Sequence, residues 1–137
     1  MADYLLTGGC LCGGVRYELS EPPISAGYCH CTRCQRRTGT AASAQARLAP
    51  GSFRVTDGED LVKTYAPLDG FHKCFCSNCG GALWSKDPES GDVMSVRLGT
   101  LDPGHDIRPS FRSFVDFAAG WEPIPADGLE RNPGRAR

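Results

Sequence analysis

The chain has 137 residues, a formal net charge of −1, and 40% hydrophobic and 23% charged residues. That length suits a single globular domain able to bury a core. The near-neutral charge offers neither the basic footprint of a nucleic-acid binder nor an acidic tail.

No run approaches the roughly 18 apolar residues that a membrane span needs. The start, Met1-Ala2-Asp3-Tyr4-Leu5-Leu6, lacks the basic segment and apolar stretch of a secretory leader, so the expected compartment is the cytoplasm, with no membrane or nucleic-acid partner. The 17 Gly and 10 Pro residues, about a fifth of the chain, favour turns and short strands over a helical bundle.

In chain order, strands are predicted over 15–19, 25–29, 41–48, 52–55, 61–66, 71–75, 82–85, 93–98 and 111–117, each bounded by Gly, Pro or Asp. Apolar and polar residues alternate in Val15-Arg16-Tyr17-Glu18-Leu19 and in Val93-Met94-Ser95-Val96-Arg97-Leu98, the pattern of half-buried antiparallel strands. One helix is expected over 32–38, with Thr32 as N-cap and Gly39 as its stop. The fold is therefore mainly β with one short helix. One domain over 1–125 is followed by a polar, loosely held tail over 126–137.

The 8 cysteines fall into three tight groups: Cys10-x-Cys12, Cys29-x-Cys31-x-x-Cys34 and Cys74-x-Cys76-x-x-Cys79. Disulfide frameworks spread their half-cystines to close loops, and a reducing compartment would not keep them oxidised. Clusters one or two residues apart instead suit ligands converging on one ion. In an extended C-x-C both sulfurs share a face. Cys10, Cys12, Cys76 and Cys79 thus make a complete tetrahedral set for Zn²⁺, although all-sulfur ligation also admits iron.

Cys29, Cys31 and Cys34 leave the middle group one ligand short. Three ligands and an open position mark a catalytic zinc, whereas a fourth from His30, His72, His105 or Cys74 would make the site structural. On an extended stretch His30 points away from Cys29 and Cys31, so it is the weakest of these candidates. Cys74 reads as an inert core or strand cysteine, the alternative being exchange with Cys76 as a ligand. Arg33, Arg36 and Arg37 share one helical face beside Cys34, where they either receive substrate carboxylates or form a solvated face that offsets the charge of a three-thiolate zinc. Phe71, Phe75, Trp84, Phe111, Phe114, Phe117 and Trp121 read as core, with a ligand platform as the alternative.

Three segments carry a family resemblance: Gly8-Gly9-Cys10-Leu11-Cys12-Gly13-Gly14-Val15-Arg16-Tyr17, Cys29-His30-Cys31-Thr32-Arg33-Cys34-Gln35-Arg36-Arg37-Thr38-Gly39, and Phe75-Cys76-Ser77-Asn78-Cys79-Gly80-Gly81-Ala82-Leu83. Together, and with a weaker match from Val115 to Ile124, the chain resembles the glutathione-dependent formaldehyde-activating enzyme family, also called GFA or centromere-protein-V-like. The resemblance implies a small β-tent of zinc-pinned antiparallel sheets. It places a structural zinc on Cys10, Cys12, Cys76 and Cys79 and a catalytic zinc on Cys29, Cys31 and Cys34, two ions per chain.

The implied activity is that of a carbon–sulfur lyase joining formaldehyde, or a related small aldehyde, to glutathione or a similar small thiol. Its product with the namesake pair is S-hydroxymethylglutathione. The chain departs from the family's pattern at Cys74 and at Arg112, where many members carry a His, and neither position is a metal ligand. His30 and water are the candidates for taking the thiol proton. The rival reading is a non-catalytic zinc module that binds a protein or a small thiol, with both ions structural. Self-association into a homo-oligomer stays open.

Overall fold

The computed structural model describes residues 4–135. Among them are eleven strands and one α-helix, α1 (Thr32–Thr38), with three single 3-10 turns. The strands are β1 (Leu6–Gly9), β2 (Arg16–Leu19), β3 (Ser25–Cys29), β4 (Ser43–Arg47), β5 (Phe53–Asp57), β6 (Val62–Tyr65), β7 (His72–Cys76), β8 (Ala82–Lys86), β9 (Val93–Arg97), β10 (Phe111–Ser113) and β11 (Glu130–Arg131). They form a three-stranded sheet, β1-β2-β5, and an eight-stranded sheet, β11-β10-β3-β4-β9-β8-β7-β6. The pairs are antiparallel except that β10 runs parallel to both β3 and β11. No helix among the described residues is long and apolar enough to cross a membrane.

Strand alternation decides what each face does. Ala26, Ala46, Val96, Trp84 and Cys74 are successive partners across β3, β4, β9, β8 and β7, so they stand in one row on one face. That face is covered by Val15, Tyr17, Leu19, Phe53 and Val55 from the small sheet and its approach, and together these residues make the core. Trp84 stands edge-on to Tyr17 (5.8 Å, 85°) and to Phe53 (4.8 Å, 68°). Each such pair contributes about 0.5–1.5 kcal/mol beyond the burial of its area.

The opposite face of the large sheet carries the other half of the alternation. Cys29 opposes Ser43, Gln45 opposes Arg97, and Lys73 opposes Ser85. These residues are polar yet partly or wholly buried, because other parts of the chain wall this face off.

Several expectations change. β1 was not anticipated, since Leu-Thr-Gly-Gly shows no alternation. The strand expected over 111–117 ends at Ser113, where Phe114 takes a left-handed backbone (φ 56°) before the 3-10 turn Val115–Phe117. The segment over 126–137, expected to be loosely held, is fastened as far as it is described. β11 pairs with β10, Val115 N–H donates to the Asn132 carbonyl (3.0 Å), and Phe114 N–H donates to the Gly134 carbonyl (2.7 Å). The Asp127 carboxylate pairs with the buried Arg112 guanidinium at 2.7 Å. A buried cation needs such a partner, and that need draws the segment in. Ala136 and Arg137 lie outside the described residues.

Candidate functional site

Two sulfur clusters stand out, each with all its sulfurs within 4.8 Å of one another: Cys10, Cys12, Cys76 and Cys79, and Cys29, Cys31 and Cys34. In the first, Cys10 and Cys12 come from the β1–β2 loop, while Cys76 ends β7 and Cys79 lies in the turn to β8. The cluster therefore joins the two sheets. Cys12 Sγ lies 3.5 Å from Cys10 Sγ and 3.8 Å from Cys76 Sγ. Val15 N–H donates to Cys10 Sγ at 3.3 Å. The backbone N–H groups of Cys12 and then Gly81 hold Cys79 down at about 6. Four convergent sulfurs with amide donors aimed at them fit a tetrahedral, charge-bearing Cys₄ site for zinc.

Cys74 takes no part in either cluster. It is 3% exposed and belongs to the apolar core, with its Sγ 3.5 Å from Thr64 Oγ1. It shares a face with Cys76, but only Cys76, at the strand end, reaches the β1–β2 loop.

The second cluster sits where β3 gives way to α1. Cys31 is the helix N-cap, its Sγ accepting from Cys34 N–H at 3.3 Å, and Thr32, expected in that role, is the first helical residue. The cap and the cluster thus use the same sulfur. Gly39 closes the helix in a left-handed conformation (φ 69°). Hydrogen bonding from Cys29 holds the Cys34 thiol down at about 4, with Ser43, Cys31 and the Arg37 charge adding and burial opposing. The shared proton, and then burial, push Cys29 strongly up. The cluster thus favours ionisation at Cys34, the form in which a thiol binds a soft cation.

No histidine, carboxylate or further cysteine among the described residues joins the triad. His30 is 4% exposed and faces the other way, its Nε2 3.1 Å from Arg112 Nη1. Burial, and then the Arg112 charge, lower its proton affinity. Arg112 stacks over the Tyr28 ring at 4.3 Å and binds Asp127. His105 Nδ1 accepts from Ile107 N–H at 3.1 Å, away from the cluster.

Two cavities meet at Cys34. The larger, about 870 Å³, is walled by α1 and by aromatic residues that include Tyr65, Phe71 and Phe75. Arg33, Arg36 and Arg37 all border it, but they are not equivalent. Arg33 is tied to Asp69, donating to its side chain (3.3 Å) and its carbonyl (2.9 Å). Arg37 Nη2 lies 4.0 Å from Cys34 Sγ. The smaller cavity, about 570 Å³, lies over the polar sheet face and is bordered by Cys29, Cys34, Lys73 and Arg97. Lys73 is lowered to about 8 by burial and then by the Arg97 and Arg37 charges. Arg97 is lowered to about 10, again by burial and then by Arg37. Phe114, in its strained left-handed conformation, borders both cavities. Arg97 and Lys73 border the candidate site and were missed by sequence reasoning. The only available signal was an ionisable residue on the face opposite Val96 and Cys74.

A two-sheet β protein with one inter-sheet Cys₄ cluster and one Cys₃ cluster at a double cavity is, by its ligand types, a candidate two-metal protein. The sequence profile of the family described as glutathione-dependent formaldehyde-activating enzyme (GFA) matches residues 5–116, and the chain belongs to that family. A Halomonas elongata protein, provisionally named a glutathione-dependent formaldehyde-activating enzyme, is similar at 33% identity over 104 residues. That match covers 72% of this chain and 66% of the relative, so it spans slightly less than two thirds of the relative's length. A crystal structure of a Rhodobacter sphaeroides protein is similar with a TM-score of 0.53 and 27% identity, covering 73% of this chain and 91% of that one.

Proposed function

We propose that the chain is a zinc-dependent carbon–sulfur lyase of GFA type that joins a thiol such as glutathione to formaldehyde or a related small aldehyde. The observation that carries this reading is the Cys29, Cys31, Cys34 triad, which has no fourth protein donor among the described residues and stands where two cavities meet. Cys10, Cys12, Cys76 and Cys79 would hold the structural ion. Bound by the triad, a zinc ion would supply an open coordination position and keep a substrate thiol ionised near neutral pH.

The residues of the chain do the binding and orienting. The larger cavity takes the body of the thiol against Tyr65, Phe71 and Phe75, with Arg36 and Arg37 available for its carboxylates in bidentate fashion. Arg33, engaged by Asp69, shapes that rim and contributes less charge. Gathering the thiol and the aldehyde at one point turns a two-body encounter into a local one, which is the main advantage open to an enzyme whose reaction also runs unaided in water. His30 is not the proton acceptor, because Arg112 holds its ring away from the sulfurs. Thiolate sites of this kind persist in a reducing compartment, which supports a cytoplasmic location.

The test compares rates of S-hydroxymethylglutathione formation and breakdown, followed by NMR exchange spectroscopy, with the zinc-loaded protein, with Cys29→Ser and with no protein. The wild type should exceed the spontaneous rate and Cys29→Ser should fall back to it while staying folded with one zinc. A folded, two-zinc wild type with no rate above background would sink the enzyme reading in favour of a binding module.

A further inference from the structure

The smaller cavity has a floor made of one sheet face: Gly27 and Cys29 of β3, Gln45 of β4, Arg97 of β9, Ser85 of β8 and Lys73 of β7. Arg97 is the unusual member. Its side chain is buried, with the residue 8% exposed, and its Nη1 donates to Gln45 Oε1 at 2.5 Å while Nη2 donates to Ser85 Oγ. Its Nε has no partner among the described residues, and none of the ion pairs there involves it. Neutral acceptors alone hydrogen-bond the guanidinium, so its charge borders the cavity with no carboxylate partner among the described residues.

The cysteine triad does not absorb that charge. Three thiolates on one divalent ion leave a single negative charge, and among the described residues Glu130 is the one carboxylate bordering the cavity, against Arg37, Arg47, Lys73, Arg97 and Arg135. With Arg37, which borders both cavities, assigned to the thiol, two positive charges remain. Formaldehyde is neutral and has only two non-hydrogen atoms, against roughly 30 Å³ for one water in the liquid. It would use neither the charge nor most of the approximately 570 Å³. The thiol's own carboxylates already have Arg36 and Arg37 on the other side of Cys34.

Resting on the thiol-plus-aldehyde reading above, we propose that Arg97 and Lys73 form a carboxylate subsite for the electrophile, so that the aldehyde accepted beside Cys29 and Cys34 is a small oxo acid. Arg97 is fixed by Gln45 and Ser85 and presents a preorganised charge, while half-buried Lys73 supplies the second contact from β7, across the intervening β8. In the reaction the thiolate pair forms the new C–S bond, the carbonyl π pair moves to oxygen, and that oxygen gains the proton the thiol lost. The carboxylate is a spectator, and no oxidant or reductant is required.

The experiment uses the zinc-loaded full chain. Calorimetry compares glycolate, an unreactive hydroxy acid, with neutral ethylene glycol. Rates above background are measured for glyoxylate and for formaldehyde, each with glutathione and with uncharged 2-mercaptoethanol. Glycolate should bind and ethylene glycol should not, and glyoxylate should be preferred over formaldehyde at least tenfold in kcat/KM with either thiol. Lys73→Gln should weaken glycolate binding tenfold and shrink the preference by a similar factor. Arg97→Gln should do more, and because that side chain is buried, Lys73→Gln decides if the Arg97 variant fails to fold. Glycolate binding no tighter than ethylene glycol, or unchanged in Lys73→Gln, overturns the subsite. A preference that vanishes with 2-mercaptoethanol assigns the cations to the thiol and overturns the electrophile assignment. Lys73-dependent glycolate binding with neither aldehyde processed above background leaves the carboxylate subsite standing and removes the lyase reading beneath it.

Discussion

Replacing Cys10 with Ser in the zinc-loaded protein should destabilise it by about 4 kcal/mol, and the size follows from chain connectivity. The Cys12 and Cys76 sulfurs meet at 3.8 Å although 64 positions separate them. A cross-link closing a loop of that length removes about 4 kcal/mol of denatured-chain entropy. The triad spans only the six residues from Cys29 to Cys34, for which the same relation gives about 2 kcal/mol. Cys29→Ser should therefore cost about half as much as Cys10→Ser, against a typical domain stability of about 5–15 kcal/mol. Urea unfolding followed by tryptophan fluorescence, where Trp84 reports the core, measures both losses, and metal content per chain shows which ion has gone. Wild type stripped by a chelator should fall at least as far as Cys10→Ser. If Cys29→Ser loses as much stability as Cys10→Ser, the division into a fold-fastening site and a dispensable one is refuted.

Trp84→Ala removes the ring that Tyr17 and Phe53 meet edge-on and should cost about 3–5 kcal/mol in the same urea titration, with zinc content unchanged in the variant that remains folded. At Gly27 an added Cβ would run into the Phe111 ring, so Gly27→Ala should destabilise by about 1–3 kcal/mol and disturb β10 chemical shifts before those of β6. Asp127 is held below the usual carboxylate range, first by its hydrogen bond from Arg112. A lowered folded-state pKa gives stability that is present above about pH 4 and is lost as pH falls through the folded value. The stability gap between wild type and Asp127→Asn should thus be open at pH 6 and close toward pH 2, and a gap that stays constant with pH would contradict the ion pair's role.

The clusters were legible because metal-ligand spacing is local: two residues apart on a strand or three apart in a turn fixes where a sulfur can go. The separation of Cys74 from Cys76 was legible in part, since the two share a face and only the end of β7 distinguishes them. The helix was found, but its cap was misplaced by one residue because Thr is a common cap and a ligating cysteine is not an expected one. Arg97 was hidden for a different reason. Its alternation with Val96 showed that it faces away from the core, but whether that face meets water or a walled cavity depends on β3, β4 and the α1 region, which lie far away in sequence. Arg112 and Asp127 are fifteen positions apart and carry no periodic signal, so the anchoring of the C-terminal segment appears only when the buried cation is seen.

The sulfur of Cys31 serves two chemistries with different tolerances. Helix capping accepts any short side chain with an acceptor, and Ser or Asp performs it as well as Cys. Soft-metal coordination accepts neither so readily. Cys31→Ser is therefore a scalpel: it leaves the three arginines of α1 presented as they are while disarming the cluster beside them. Loss of chemistry can then be told apart from loss of the surface that positions its substrate.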